Sequence, residues 1–437
     1  MPRRVDPVIL RTVLLAVLVA GCAAPPTAVV PSASATPEAT ASVVPPSSAP
    51  PTASPVPVPS PGTRAFAGAG LETYAVGKLS GEIALVIRPV TPKPPDTTTS
   101  YRELWAVPLD GRPPVLAVIF RTPAVGSTID TNSLERQLSP DGRRVVLSVG
   151  IGEIEVAAQL ELIDLETGRV TPLTPGSGLA FEDTFPAWSP DGKLVAFIRW
   201  AHRGPSDLRD IYVVGADGQG VRPIRPATGR GDFIRLYGWL ADSQHVAFDP
   251  INFQHSELAV VDLNGAEAGR LRERLNTGQS AGQAVTFRSR TPTLAAASVD
   301  SPFTPSTYDL FVADEVSAPT RIVASVTADP ISGVLGIAAP RWDPSGSNAL
   351  LYRLVGVSST TVVLDLDTGT SLQVGSRVKA SAWSQDGQRI VTIEEHPSTA
   401  ADTLYVWTRD GRLLRESIGL PGDPLVYRLT DLAIRAY

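Results

Sequence analysis

The amino-acid sequence predicts an all-β protein, a β-propeller of seven four-stranded blades that follows a disordered, Pro-rich tether. One β-hairpin pattern recurs along the chain, its copies lie about 50 residues apart, and no 3.6-residue hydrophobic periodicity separates them. Four-stranded units that repeat at this period without helices are typical of propeller blades. In such a ring each blade covers the faces of its neighbours and leaves only short strand edges exposed.

The clearest hairpin runs from Pro186 to Ile198 with the sequence PAWSPDGKLVAFI. It suits a type I turn, because Pro190 fixes φ at the second turn position and Gly192 tolerates a positive φ at the fourth. The apolar residues after the turn favour a strand. Seven units of about 53 residues then fill positions 64–437. The equivalent turns of the other units lie near Gly81, Asp141, Asp242, Thr291, Ser345 and Asp386.

A tryptophan precedes the turn in four of the units, at Trp188, Trp239, Trp342 and Trp383. One large ring at the same repeat position is better explained as inter-blade core than as a ligand-stacking surface. The aspartates of the turns should hydrogen-bond their own turn backbone. A calcium ion needs six to eight converging oxygens, and one aspartate in each separate turn does not supply them. We therefore predict no metal and no cofactor.

Charge and cysteine content exclude further classes of function. The formal charge of −6 and the pI near 5.4, without a basic stripe, argue against a nucleic-acid partner. Cys22 is the single cysteine, so the chain forms no internal disulfide and no cysteine-based metal cluster. We expect a monomer.

The N-terminus predicts a signal peptide over residues 1–21. Basic residues precede an apolar run at positions 13–20 that is too short to span a bilayer, which needs about 20 residues in a helix. The run ends in the sequence VAGC at Cys22, which resembles the lipobox of bacterial lipoproteins. This resemblance implies acylation of Cys22, cleavage before it, and a membrane anchor on the extracytoplasmic side. The alternative is a plain secretory signal in which the cysteine is incidental.

Residues 22–63 predict a disordered tether between the lipidated cysteine and the propeller. Positions 23–63 contain 12 prolines and a single charged residue, Glu38, and most other positions are Ala, Ser, Thr or Val. Such a segment buries too little apolar surface to offset its ordering entropy. We predict that the folded propeller spans residues 64–437.

The repeat motif also resembles a known family. The sequence WSPDGKLVAF, followed by IYVV and an Asp-Gly turn, is similar to the TolB-type propeller repeat, a WD-like repeat of bacterial envelopes. The motif is close to the family pattern around Asp141, Asp191 and Asp386, altered around Asp242 and Ser345, and nearly absent at positions 287–297. The resemblance implies a propeller that serves as an envelope scaffold. The tail at positions 425–437 is a candidate for a strand that closes the ring, but the sequence does not assign it.

A propeller separates its tight turns from its longer loops, which should lie at opposite ends of the ring. Binding residues concentrate on loops that a rigid scaffold holds in place, so we expect ligand or partner contacts on the long-loop face. The alternative is that these loops are merely solvated. The candidate residues are Arg121, Glu182, Asp183, Trp200, His202, Arg203, Arg230, Asp232, Arg235, His255 and His396.

These features favour a non-catalytic, lipid-anchored scaffold that binds an envelope protein or a cell-wall component. The alternative is a carbohydrate-active enzyme, a lyase or hydrolase, with His202, Arg230, Asp232 and His255 at the channel mouth. A surface sensor domain is a third possibility that the residues do not separate from the first. A peptidase related to the prolyl oligopeptidases is excluded, because no residues remain to build its hydrolase domain.

Overall fold

A computed structural model describes much of the chain from residue 71 onward. The predicted signal peptide, the predicted lipidation site at Cys22 and the predicted tether lie outside the described residues. In the described part, no helix is long and apolar enough to cross a membrane. The described residues are 71–90, 101–121, 134–151, 157–175, 181–201, 208–225, 233–251, 258–271, 285–289, 291–299, 307–328, 334–356, 358–395, 402–416 and 431–437.

These residues form 28 strands and one short helix, α1 (Leu134–Gln137), so the all-β prediction is confirmed. The strands form six hydrogen-bonded sheets. The first sheet contains β1 (Leu71–Thr73), β2 (Glu82–Val90), β3 (Tyr101–Pro108), β4 (Val115–Arg121) and β28 (Asp431–Ala436). The second contains β5 (Arg144–Gly150), β6 (Ala158–Asp164), β7 (Val170–Pro172), β8 (Phe181–Trp188), β9 (Leu194–Ala201), β10 (Leu208–Gly215) and β11 (Arg222–Arg225).

The remaining four sheets each contain four antiparallel strands in chain order. The third sheet contains β12 (Phe233–Trp239), β13 (His245–Ile251), β14 (Leu258–Asp262) and β15 (Glu267–Leu271). The fourth contains β16 (Val285–Phe287), β17 (Leu294–Val299), β18 (Thr307–Ala313) and β19 (Arg321–Thr327). The fifth contains β20 (Val334–Trp342), β21 (Ala349–Gly356), β22 (Thr360–Asp365) and β23 (Ser371–Val374). The sixth contains β24 (Val378–Trp383), β25 (Arg389–Glu395), β26 (Asp402–Thr408) and β27 (Leu413–Glu416).

The C-terminal strand closes the ring. Strand β28 pairs antiparallel with β2, from the Glu82–Ala436 pair to the Ile87–Asp431 pair. Its apolar side chains Leu432 and Ile434 belong to a buried cluster that also contains residues of β24, β25 and β26. The end of the chain therefore joins the first sheet to the last one, and the unassigned tail is the closing strand.

The predicted count of seven separate four-stranded blades is wrong. Five sheets of four or five strands are separate, but the strands of the predicted second and third units share one seven-stranded sheet. A single parallel pair, Ala158 with Glu182, joins β6 to β8. The predicted second unit has no Trp-bearing first strand, and α1 with the isolated bridge between Leu138 and Val145 takes its place.

The repeated tryptophans form inter-blade core, as predicted. Trp188 and Trp239 are both 6% exposed. The indole N–H of Trp188 donates to the carbonyl of Gln137 at 2.9 Å, and that of Trp239 donates to the carbonyl of Ala187 at 2.9 Å. Trp383 makes the same bond to Arg341, at 3.3 Å. Each of these rings is thus fixed to the backbone of the preceding unit.

The turn aspartates also behave as predicted. The carboxylate of Asp191 accepts hydrogen bonds from the hydroxyl of Ser189 at 2.7 Å and from the backbone N–H of Lys193 at 3.1 Å. Asp386 repeats this arrangement with Ser384 and Gln388. These local bonds hold the turn that joins the first two strands of the unit.

Candidate functional site: a basic cavity at the centre of the ring

A cavity of about 480 Å³ lies at the centre of the ring. It is lined by α1, by the ends of β8, β12, β16, β20, β24 and β28, and by residues of the tight turns that follow several of them, such as Pro190 and Pro344. The cavity therefore lies at the tight-turn end of the ring, opposite the predicted long-loop face. Its walls include aromatic and proline side chains, among them Trp188, Trp239, Trp342, Phe287 and Pro340.

Irregular backbone shapes the strands that line this cavity. In β20 the register shifts between Ala338 and Arg341, and Ala339 has a φ of 52°. A positive φ is unfavourable for a residue with a Cβ, and the neighbouring Pro340 fixes its own φ. A bulge of this kind twists a strand and redirects the side chains beyond it. Arg341 follows the bulge directly and lines the cavity.

Four charged side chains line the cavity among the described residues: Glu135, Arg136, Arg341 and Arg435. The guanidinium of Arg341 forms an ion pair with the carboxylate of Glu135, with 2.8 Å between Nη1 and Oε2. Arg136 donates from Nη2 to the carbonyl of Val285 at 2.7 Å. Arg435 donates to the carbonyls of Ile434 at 2.8 Å and Glu135 at 3.4 Å. Three guanidinium groups thus surround one carboxylate.

The charges of these three arginines control the ionisation of Glu135. Burial acts to raise the pKa of its carboxyl, but the charges of Arg341, Arg435 and Arg136 oppose burial and lower the pKa below its usual value. Glu135 is therefore ionised at neutral pH, although its carboxylate lies inside the cavity. Among the described residues, the charged groups that line the cavity then carry a net charge of about +2.

Trp342 differs from the other repeated tryptophans. Its ring is 7% exposed and lines the cavity, yet its buried indole N–H has no hydrogen-bond acceptor among the described residues. In the preceding unit, Phe287 occupies the position of the repeated tryptophan. In the other units the indole N–H donates to the carbonyl of the residue before that position, but Trp342 makes no such bond to the carbonyl of Thr286. The guanidinium of Arg288 lies over the Trp342 ring, 5.2 Å from its centroid. A donor is thus present at the cavity wall without its usual partner.

The structure buries two of the predicted face residues, Glu182 and Asp183, completely. Asp183 accepts two hydrogen bonds of 2.7 Å from the guanidinium of Arg199. Burial raises the pKa of Asp183, although these bonds from Arg199 oppose the shift. Burial raises the pKa of Glu182 to about 8, with Arg209 opposing the shift and Asp183 adding to it. Neither carboxyl reaches solvent in this structure.

Three other predicted face residues are described. Trp200 is the cross-strand neighbour of Glu182, and the guanidinium of Arg209 lies 4.0 Å from the centroid of its ring. Arg235 is on β12, where it pairs in register with Asp249. Arg121 is on β4 of the first sheet, with its guanidinium 5.9 Å from the centroid of the Tyr101 ring. The structure brings together Glu182, Asp183 and Trp200, while Arg121 and Arg235 belong to other sheets.

The remaining predicted face residues lie outside the described residues, and for them the predicted role stays a prediction. They are His202, Arg203, Arg230, Asp232, His255 and His396. Within the described ranges, no group of three or more His, Cys, Asp or Glu side chains could hold a metal ion.

The residues of the basic cavity were not predicted from the sequence. One feature of the sequence could have indicated Arg341. The residue directly before the repeated tryptophan is small in three units, where it is Ala187, Gly238 or Ala382, but it is Arg341 in the fourth. Arg435 lies in the closing strand, which the sequence did not assign. Glu135 and Arg136 lie on α1, which replaces a predicted strand.

Comparison with known proteins supports the fold and leaves the function open. No family model matches this sequence, and no curated protein matches it. TolB from Acinetobacter baumannii is 17% identical, with 82% of this chain and 67% of that chain covered and a TM-score of 0.40. An oligogalacturonate lyase in complex with manganese is 17% identical, with 78% and 86% covered and a TM-score of 0.45. An acylaminoacyl peptidase from Pyrococcus horikoshii is 13% identical, with 80% and 53% covered and a TM-score of 0.50.

These similarities concern the fold. The structure is a β-propeller, and TolB proteins are among the similar solved structures. This chain spans about half the length of the peptidase. Because one fold can carry many unrelated functions, the function has to be inferred from the site itself.

Proposed function

We propose that the protein is a non-catalytic binding propeller of the bacterial cell envelope that recognises an envelope protein or a cell-wall component. Its site is the basic cavity at the centre of the ring. Its place is the extracytoplasmic side of a membrane, where the acylated Cys22 holds it through the Pro-rich tether.

The cavity is the observation that supports this proposal. Ligand sites in proteins are concave, have volumes of about 300–1,000 Å³, and combine apolar walls with a few convergent polar groups. The central cavity has a volume of about 480 Å³, aromatic and proline walls, and three arginines that converge on Glu135. The β-strands and bulges that line it hold these groups in place before a ligand arrives, which reduces the ordering cost of binding.

The anchor is supported by the sequence alone and has a direct test. Replacing the thiol with a hydroxyl in Cys22→Ser removes the acylation site, so the protein should move from the membrane fraction to the soluble fraction. Alanine replacement of the neighbouring Ser32 is the matched control and should leave the protein in the membrane fraction. Continued membrane attachment of Cys22→Ser would contradict the lipoprotein proposal.

One observation favours an enzyme. A carboxyl whose pKa is raised to about 8, as for Glu182, is protonated at neutral pH and could serve as a general acid. A general acid must come within about 3 Å of the atom that it protonates. Glu182 is completely buried, which favours a structural role. A glycan panel that includes oligogalacturonate tests this alternative, because turnover that is lost in Glu182→Gln would support the enzyme.

The binding proposal is tested by capture from solubilised envelopes with the full-length protein as bait. The bait variant Arg341→Glu reverses one charge in the cavity, and Arg112→Glu reverses one exposed charge on the first sheet as the matched control. We expect a stoichiometric partner that is retained by Arg112→Glu and lost by Arg341→Glu. A partner that both variants retain would place the binding site elsewhere, and turnover of a glycan would refute the non-catalytic proposal.

A further inference from the structure

One outer strand of the propeller has an edge unlike the others. The outer strands are the last strands of the units, namely β4, β7, β11, β15, β19, β23 and β27. Five of them contain three to five residues, whereas β4 and β19 each contain seven. Strand β4 is covered by β1, but no strand of the described residues lies beyond β19 in its sheet. A long uncovered edge presents a row of backbone N–H and C=O groups to another chain.

The side chains of β19 do not protect this edge. Natural edge strands are commonly protected by prolines, lysines or other charged residues. The sequence of β19 is RIVASVT, which contains neither proline nor lysine and has its single charge at the first residue, Arg321. Ile322 is 59% exposed, the largest exposed fraction of any large hydrophobic side chain in the described part of the chain. The edge thus combines outward-facing backbone groups with an exposed apolar side chain.

The propeller itself contains an example of strand addition at such an edge. Strand β1 pairs antiparallel with β4, from Leu71 with Phe120 to Thr73 with Val118. The pairing of β4 with β3 has a register shift, as does the pairing of β19 with β18. Because β4 accepts β1 in spite of this irregularity, the same irregularity does not prevent a further strand from adding to β19.

We propose that the edge of β19 binds an extended peptide segment of a partner protein by antiparallel β-strand addition. In this mode the backbone hydrogen bonds supply affinity, and the alternate side chains supply specificity. The edge lies on an outer strand, whereas the basic cavity is lined by first strands, so this inference goes beyond the proposed function.

Two side chains of β19 specify the chemistry of the partner. The guanidinium of Arg321 is exposed and forms no ion pair with a carboxylate of the described residues. An acidic residue directly opposite Arg321 would supply this partner, and an apolar residue opposite Ile322 would cover its side chain. In an antiparallel partner the apolar residue directly precedes the acidic one. Leu71 and Glu72 of β1 have this same order.

The position of Arg321 favours a partner of different sequence over a second copy of this chain. Two copies of β19 that pair antiparallel about the middle residue, Ala324, place Thr327 of one copy opposite Arg321 of the other. Such a pair supplies no carboxylate to the guanidinium. A peptide with an acidic residue at this position does supply one.

The test is calorimetric titration of the full-length protein in detergent with the peptide Ac-Thr-Val-Thr-Val-Thr-Leu-Glu-NH2. Two isomers of this peptide are N-methylated at the second, fourth and sixth residues or at the third, fifth and seventh, so that each has one blocked edge. We expect the affinities of the isomers to differ about tenfold or more, because a docked peptide bonds to β19 through one edge only. Equal affinities of the isomers, or no binding of the unmodified peptide, would overturn the proposal.

Variants with opposite effects on two peptides locate the site. Ile322→Lys should weaken binding about tenfold or more, whereas Leu413→Lys, at an exposed leucine of the outer strand β27, is the matched control and should have no effect. Arg321→Glu should weaken binding of the Glu peptide and strengthen binding of Ac-Thr-Val-Thr-Val-Thr-Leu-Lys-NH2 several-fold. Unfolding of the variant cannot produce this reversal. Weaker binding in Leu413→Lys, or no reversal in Arg321→Glu, would refute the site.

Hydrogen exchange distinguishes strand addition from other modes of binding. The bound peptide should slow exchange of the backbone amides at residues 321–327 and leave residues 413–416 unchanged. Binding should be as tight in Arg341→Glu as in the wild type, because the edge and the basic cavity are separate sites. Sedimentation of the protein without peptide tests the other occupant. A dimer that Ile322→Lys dissociates would show that a second copy covers the edge, which contradicts the peptide proposal.

Discussion

Glu182 should make the stability of the propeller depend on pH in a direction unusual for a carboxyl. Burial raises its pKa to about 8 in the folded protein, against 4.5 as the ordinary value. Between these two values the folded state holds a proton that the unfolded chain has released, so the free energy of unfolding falls as pH rises. The fall is about 1.4 kcal/mol per pH unit, which amounts to about 3 kcal/mol at pH 7 and about 5 kcal/mol above pH 8.

The variant Glu182→Gln removes this titration and keeps the shape of the neutral side chain. We expect the variant to match the wild type near pH 5 and to be more stable by about 3 kcal/mol at pH 7. Urea unfolding followed by tryptophan fluorescence between pH 5 and pH 9 measures the difference. Glu267→Gln is the matched control, because Glu267 is an exposed carboxylate whose pKa is lowered by Arg270 and which stays ionised over this range. A variant less stable than wild type at pH 8 would refute the reasoning.

Three further predictions concern the ring. Trp188→Phe leaves the buried carbonyl of Gln137 without its indole donor, so it should lose about 1 kcal/mol more in unfolding free energy than Trp342→Phe, whose indole has no such acceptor. Tyr437→Phe removes a hydroxyl that donates to the carbonyl of Gly142 at 2.7 Å, and chemical unfolding should show a loss of about 1 kcal/mol. Deletion of residues 431–437 removes the strand that pairs with β2, and Tm should fall further than in either point variant; an unchanged Tm would contradict ring closure by this strand.

Much of the fold could be predicted because the residues of the repeat motif themselves favour the turn and the strands that they form. The turn at Ser189–Gly192 combines a proline that fixes φ with a glycine that has a φ of 70°, and the structure forms the hairpin there. The motif also marks the inter-blade tryptophans, because a large apolar ring at a fixed repeat position has to be buried. Where the motif weakens, at positions 287–297, strands β16 and β17 still form, because packing between neighbouring sheets supplies what local sequence does not.

The arrangement of the second unit could not be predicted in the same way. Its Ser-Pro-Asp-Gly turn at Asp141 is complete, but Leu138 stands where other units have tryptophan. The segment before it forms helix α1 and a single bridge to Val145. The joining of β6 to β8 depends on one pair of residues, Ala158 and Glu182, which belong to different repeats. Local sequence patterns contain no information about such a contact.

The residues of the central cavity could not be predicted for a related reason. The sequence points to the long loops because binding residues concentrate on loops that a rigid scaffold holds in place, but the cavity is built from the ends of first strands, which follow the shared repeat pattern. Glu135 and Arg341 are 206 positions apart and meet only because the ring closes. Conversely, the sequence predicts a solvated loop at the adjacent acidic residues Glu182 and Asp183. Both are completely buried in the sheet.

Site-specific photo-crosslinking tests most directly whether the ligand occupies the central cavity. A photoreactive side chain is introduced by Ser289→p-benzoylphenylalanine at the exposed rim of the cavity, and by Trp200→p-benzoylphenylalanine on the β9 strand towards the long-loop end. Each variant is irradiated in intact cells, with and without Arg341→Gln as a second substitution. The crosslinked partners are then identified and compared. We expect crosslinks from Ser289 that disappear with Arg341→Gln, and none from Trp200. Crosslinks from Trp200 alone would show that the long-loop face binds the ligand.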